Sequence, residues 1–175
     1  MSDSRSDQAE VLPIHALLGL WQAQMTGNNT DFRLIAETLG SSNLQGGAIL
    51  ALLHLVNRDD PNVMSAFTRL MRIGKQTIIT ARNAQAKGQI PAEASVAAQN
   101  FAIEILTGTE IENDGISLSI SMSPSSPLMT AIGVLVPINV AASNITSLEG
   151  VPELITSLRS EFWGIENLFK RGQQL

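Results

Sequence analysis

Residues 61–90 constrain this chain more than any other part of it. Nothing breaks a helix there before Gly88 apart from Gly74, and the stretch holds Arg69, Arg72, Lys75, Arg82 and Lys87 without one Asp or Glu. Asp60 as N-cap and Pro61 at the first helical position predict a helix over 61–88. At 100° per residue, Val63, Ala66, Phe67, Leu70, Ile73, Ala81 and Ala84 fall on one side. The cations cluster on an arc of about 140° on the other. Such a helix spans about 40 Å at about 1.5 Å per residue.

The same stretch organises the charge of the molecule. The chain carries −5 overall and the stretch +5, which leaves −10 for the remainder, since −5 less +5 is −10. A long basic element on an acidic body is a docking surface for something negative: another protein, a second copy of this chain, or nucleic acid. The competing reading is a solvated helix face. Against nucleic acid, no aromatic residue sits among the cations to stack bases, Tyr is absent, and the isoelectric point is about 4.9 where nucleic-acid-binding domains often exceed about 9.

Helix punctuation is legible from residue 11 to residue 107. A first helix is predicted over 11–26, with Pro13 in its first turn and Gly27 as its stop; Leu17, Leu18, Trp21 and Met25 recur at helical spacing. A short second helix follows Asn29 and Thr30 and ends at Gly40. Ser42 with Gln45 suggests a capping box for a third helix, apolar on most sides and therefore central to the core. Gly46 and Gly47 near its start would let another helix approach closely. A fifth helix starts near Pro91 and ends before Gly108, with Val96, Ala97, Phe101, Ile105 and Leu106 as its expected core residues. Connections of a few residues favour sequential antiparallel packing.

The pattern then changes. From Ile116 to Ser123 apolar and polar residues alternate strictly, which is strand periodicity, after the turn residues Asn113, Asp114 and Gly115. Residues 109–112 are the natural partner strand. Residues 128–140 are rich in Ile and Val and lean toward another strand, with a buried helix kinked at Pro137 as the alternative. A final helix is predicted over 152–172, with Leu154, Ile155, Leu158, Phe162, Ile165, Leu168 and Phe169 as its apolar stripe.

Hydrophobic residues make up 44% of the 175 residues, enough for one domain with a core. Charged residues are only 15%, against about 25% on average, and such a surface is cheap to desolvate in an interface. Cysteine is absent, which removes disulfides, thiolate metal sites and a cysteine nucleophile; with only His15 and His54, no metal site or cofactor is expected. The polar start lacks a signal-peptide core. The longest apolar run, 127–142, is shorter than the roughly 20 residues of a membrane span, so a cytoplasmic location is the expectation.

Catalytic motifs are not found: neither Gly-x-Ser-x-Gly nor Ser-x-x-Lys occurs, nor a phosphate-binding glycine loop. Glu110, Glu112 and Asp114 loosely echo a calcium loop, but Ser121 stands where its final acidic ligand belongs, and a hairpin turn explains the cluster. His54 reads as a satisfied core or interface histidine. Phe162, Trp163 and Phe169 are candidate interface anchors, or simply packing of the last helix.

These readings predict a mainly α fold: a bundle of about five helices, a small β-hairpin or sheet insertion around 109–140, and a C-terminal helix packing back. Residues 1–10 form a polar tail, 11–107 the bundle core, and 108–175 the β insertion and last helix of the same domain. The expected function is a non-enzymatic assembly subunit or adaptor, homo-oligomeric or docked on an acidic partner through Arg69, Arg72, Lys75, Arg82 and Lys87. The alternatives are a nucleic-acid-binding protein, coat-type or regulatory, using the same face, and a membrane-surface protein using 127–142.

Overall fold

In the computed structural model of the protein, the backbone is described for residues 2–58, 60–112, 115–121 and 125–174. Side chains are described for 13–58, 60–112, 115–121 and 125–162. The element order is α1 (Ser2–Thr26), α2 (Asn29–Leu39), α3 (Ser41–Asn57), α4 (Val63–Ala86), α5 (Ala92–Gly108), β1 (Thr109–Glu112), β2 (Gly115–Leu118), α6 (Pro127–Ser143), a 3₁₀ turn (Leu148–Gly150) and α7 (Val151–Gln174). The protein is thus a mainly helical bundle with a small two-stranded antiparallel sheet. Buried residues from Ile14 to Phe162 form one core cluster to which all seven helices contribute.

Local chemistry sets most boundaries. The α1 helix stops where Gly27 turns to φ 70°, a conformation glycine adopts without penalty. It begins at Ser2, so the stretch expected as a tail is helical and Pro13 lies inside the helix. Asn28 caps α2 by accepting from the Asp31 N–H at 3.1 Å, one residue before the expected caps. The capping box expected for α3 does not form: Gly40 occupies the cap position, Gln45 is buried, and Ser41 Oγ donates instead to the Ser125 carbonyl at 2.9 Å. Asn62, not Asp60, caps α4, accepting from the Ser65 N–H at 3.1 Å, and Pro61 precedes the helix. The Asp60 side chain accepts from the Asn62 N–H at 3.0 Å, an Asx-type turn that sets up the true cap.

The largest departure from the sequence expectation is 128–140, which is helix and not strand. Ser126 caps α6, accepting from the Met129 N–H at 3.3 Å, and Pro127 stands in the first turn. Val and Ile suggested a strand, yet the segment lacks period-two alternation. Thr130, Ala131, Val134, Leu135, Ile138 and Ala142 are all buried, as expected of a helix enclosed by others. It packs against α2, α3, α4 and α5, so α6 joins α3 at the centre of the bundle. Pro137 lies within it and has no N–H to return to the preceding turn.

Close helix approach rests on glycine. A Cβ on Gly133 of α6 would come within 2.9 Å of Ala97 Cβ and 3.0 Å of the Ala98 nitrogen on α5. A Cβ on Gly47 of α3 would lie 2.7 Å from the Pro13 carbonyl oxygen of α1, whereas one on Gly46 would meet nothing within 4 Å. The close approach expected of the Gly46–Gly47 pair therefore belongs to Gly47 alone. Within this apolar frame Trp21 is fully buried and its indole N–H donates to Asn139 Oδ1 at 2.9 Å, tying α1 to α6.

The hairpin is shorter than the alternation suggested. Thr109 pairs with Leu118, Glu110 with Ser117, Ile111 with Ile116 and Glu112 with Gly115. Because α5 runs to Gly108, only four residues remain for β1, and pairing ends at Leu118. Ile116, Leu118 and Ile120 pack against the core, as their alternation predicts. The turn residues Asn113 and Asp114, and Met122, lie outside the described residues.

A candidate docking surface on α4

The α4 helix buries Ala66, Leu70, Ile73, Thr77 and Ala81 and turns its cations outward. The two faces follow from the 3.6-residue period, with no acidic residue on the helix to neutralise the outer one. The five predicted cations fall into three groups. Arg69 is turned back on the start of its own helix. It donates from Nη2 to the Asp60 carbonyl at 3.0 Å and from Nε to the Ser65 carbonyl at 3.3 Å, and its Nη2 lies 3.5 Å from Asp60 Oδ2. Arg82 donates from Nε to Gln99 Oε1 of α5 at 3.1 Å, which steadies its fork while leaving it exposed. Arg72, Lys75 and Lys87 are exposed and, among the described residues, have no hydrogen-bond or ion-pair partner. Lys87 stands just past the helix as its C-cap residue.

Asp60 is the one described group whose titration is clearly displaced. The Asn62 N–H, the Ser65 side chain and the Arg69 guanidinium hold the carboxyl of this exposed residue below its ordinary value. This local network explains why Arg69 belongs to the α4 start and not to the outward row.

Apolar side chains interrupt the outward face. Ile79 is 60% exposed, and so is Met64 at the opposite end of the same stripe. On α5, Val96 and Ile103 are about half exposed. The two helices run antiparallel, pinned by Ser95 Oγ donating to the Ala81 carbonyl at 3.1 Å, so α4 and α5 form one layer of mixed basic and apolar character. Sequence reasoning placed the cations but missed Val96, expected in the α5 core, and Ile79. The period of α5 alone does not reveal which flank its neighbours cover.

Other candidates resolve differently. His54 of α3 meets Glu161 of α7 through Nε2 and Oε2, and its ring lies 4.9 Å from that of Phe162. Arg58 donates from Nη2 to Ser157 Oγ at 2.8 Å and brings Nη1 within 3.9 Å of Glu161. His54 is therefore an intramolecular partner that clasps α7 to the end of α3. Phe162 is buried in that clasp, which removes it from the exposed anchors; the side chains of Trp163 and Phe169 lie outside those described. A groove of about 350 Å³ between α2, the α4–α5 loop and α6 is lined by Phe32, Arg33, Ile90, Leu128 and Ile132 with polar neighbours. It contains a cation but no carboxylate or histidine.

Among the described residues no single helix is long and apolar enough to cross a membrane. The 127–142 segment is largely buried in the core as α6, so it could meet a bilayer only by leaving the bundle. Comparison with known proteins finds no similar family model, curated protein or solved structure.

Proposed function

We propose that this protein is a non-enzymatic assembly subunit or adaptor that docks a negatively charged protein surface through the outward face of α4. The observation that carries the reading is the combination on one helix of Arg72 and Lys75, which have no partner among the described residues, a steadied Arg82 and exposed Ile79. Cations alone are often a solvated face; cations around an exposed isoleucine suit an interface, in which charge sets orientation and apolar burial supplies affinity. A rigid helix also presents these groups at low ordering cost.

The test is light scattering behind size-exclusion chromatography, with absorbance at 260 and 280 nm, on the native protein and an Arg72→Glu, Lys75→Glu, Arg82→Glu variant. Arg69 is left alone because it serves the α4 start. The expected result is a mass above 18.7 kDa, or a co-purifying protein, in the native sample and its loss in the variant at unchanged helicity. A variant that behaves like the native protein would reduce the face to solvated surface. Absorbance at 260 nm that persists through purification and disappears in high salt would assign the same cations to phosphates.

A further inference from the structure

We infer that the negative surface recognised by α4 is the β1–β2 hairpin of a second copy of this chain, in a reciprocal two-fold dimer. The inference rests on the α4 reading above and names its partner. The argument begins with register. Side chains alternate between the faces of a strand, and Ile116 and Leu118 lie on the core side. Their partners Ile111 and Thr109 share that side. Glu110 and Glu112, opposite Ser117 and Gly115, therefore share the other, outward face.

Both glutamates are exposed, and neither has a hydrogen-bond or ion-pair partner among the described residues. Nothing across the hairpin neutralises them, since Ser117 and Gly115 carry no charge. Their backbone positions are about 7 Å apart at roughly 3.4 Å per residue, whereas Lys75 and Arg82, seven residues apart, are about 10 Å apart along α4 at about 1.5 Å per residue. The flexible lysine stem and the long arginine side chain span that difference. Among the described residues the edge of β1 away from β2 is unpaired, and Ile111, on the opposite face from the glutamates, is 44% exposed.

Position makes the match reciprocal. The hairpin begins where α5 ends, and α5 runs antiparallel to α4, so the hairpin lies beside the first half of α4 and touches it. The cations and Ile79 that lack a cover lie further along, from Arg72 to Arg82. A two-fold axis near Ile73, lying in the contact plane and perpendicular to α4, stacks the two layers face to face and lays each copy's hairpin over the Lys75–Arg82 half of the other's α4. An isologous contact of this kind uses one patch twice and closes on itself. Glu110 and Glu112 then meet Lys75 and Arg82, and the hairpin of the second copy covers Ile79.

The experiment is a charge-swap pair on the full chain, read by light scattering and by circular dichroism for helicity. One variant carries Glu110→Lys and Glu112→Lys; the other carries Lys75→Glu and Arg82→Glu. The native protein is expected at twice the 18.7 kDa chain mass, with a dissociation constant that rises at least tenfold from low to high salt. Each variant alone is expected as a monomer, because both contacts of its homodimer set like charges together. Mixing the two restores the dimer, because both contacts then pair opposite charges, and this rescue excludes misfolding as the cause of monomers. A native dimer lost in the α4 variant but untouched in the hairpin variant would overturn this inference and leave the α4 reading standing. A dimer indifferent to both variants would sink both for this contact. A native monomer at all concentrations would overturn the dimer and turn α4 to a foreign partner.

Discussion

At the residue scale, two adjacent glycines in α3 make opposite predictions from the same substitution. Gly47→Ala drives a Cβ against the Pro13 carbonyl of α1, so α1 and α3 must separate, at a cost of about 1–3 kcal/mol. Gly46→Ala meets open space and removes backbone freedom from the unfolded chain, a gain of about 0.5–1 kcal/mol. Urea titration of both variants reads the difference directly. The pair was visible in the sequence; which member carried the contact was not, because that depends on the orientation of α3 against α1. Asp60 supplies a pH prediction. Its carboxyl titrates below the usual range in the folded protein, so its contribution is present above the unfolded aspartate value. That contribution is lost as pH falls toward the folded one. In Asp60→Asn this part of the acid sensitivity is expected to vanish, seen as a flatter dependence of the unfolding midpoint on pH below about 4.

At the scale of elements, caps decide where helices start, and several of the caps are replaceable side chains. Ser126→Ala removes the acceptor for the Met129 N–H and is expected to cost about 1 kcal/mol, measured as a lower urea midpoint with an unchanged slope. The same serine and the proline after it are the signal that 128–140 is a helix. Valine and isoleucine content pointed the other way, because β propensity measures fit to a half-buried pleated surface, and α6 is enclosed on most sides. Asn139 tests the interior of α6: Asn139→Ala leaves the buried Trp21 N–H without its acceptor. A loss of about 1–3 kcal/mol is expected, together with a change in indole fluorescence on the folded baseline.

At the scale of the whole molecule, charge is segregated, with a basic α4 on an acidic remainder. Reversing Arg72, Lys75 and Arg82 together is expected to leave thermal stability within about 1 kcal/mol. Arg72 and Lys75 have no described partner, and the Arg82 bond to Gln99 is exposed. Calorimetry separates this from a structural role, in which the variant would unfold well below the native protein. Arg69→Glu, by contrast, is expected to destabilise, because it sets a carboxylate beside Asp60 and breaks the contacts at the α4 start.

What the sequence determined by itself was local in origin. The stops at Gly27 and Gly40, the start of α5 near Pro91, the presence of a hairpin with Ile116 in its second strand and the two-faced character of α4 all follow from chemistry within a few residues. Tertiary structure decided what depends on distant parts of the chain. It made α6 a central helix by surrounding it, and exposed Val96 by leaving one flank of α5 without a neighbour. It also joined His54 and Arg58 to Glu161 across more than a hundred residues. Spacing along a chain encodes which residues share a face, whereas the cover over that face depends on how the helices are arranged.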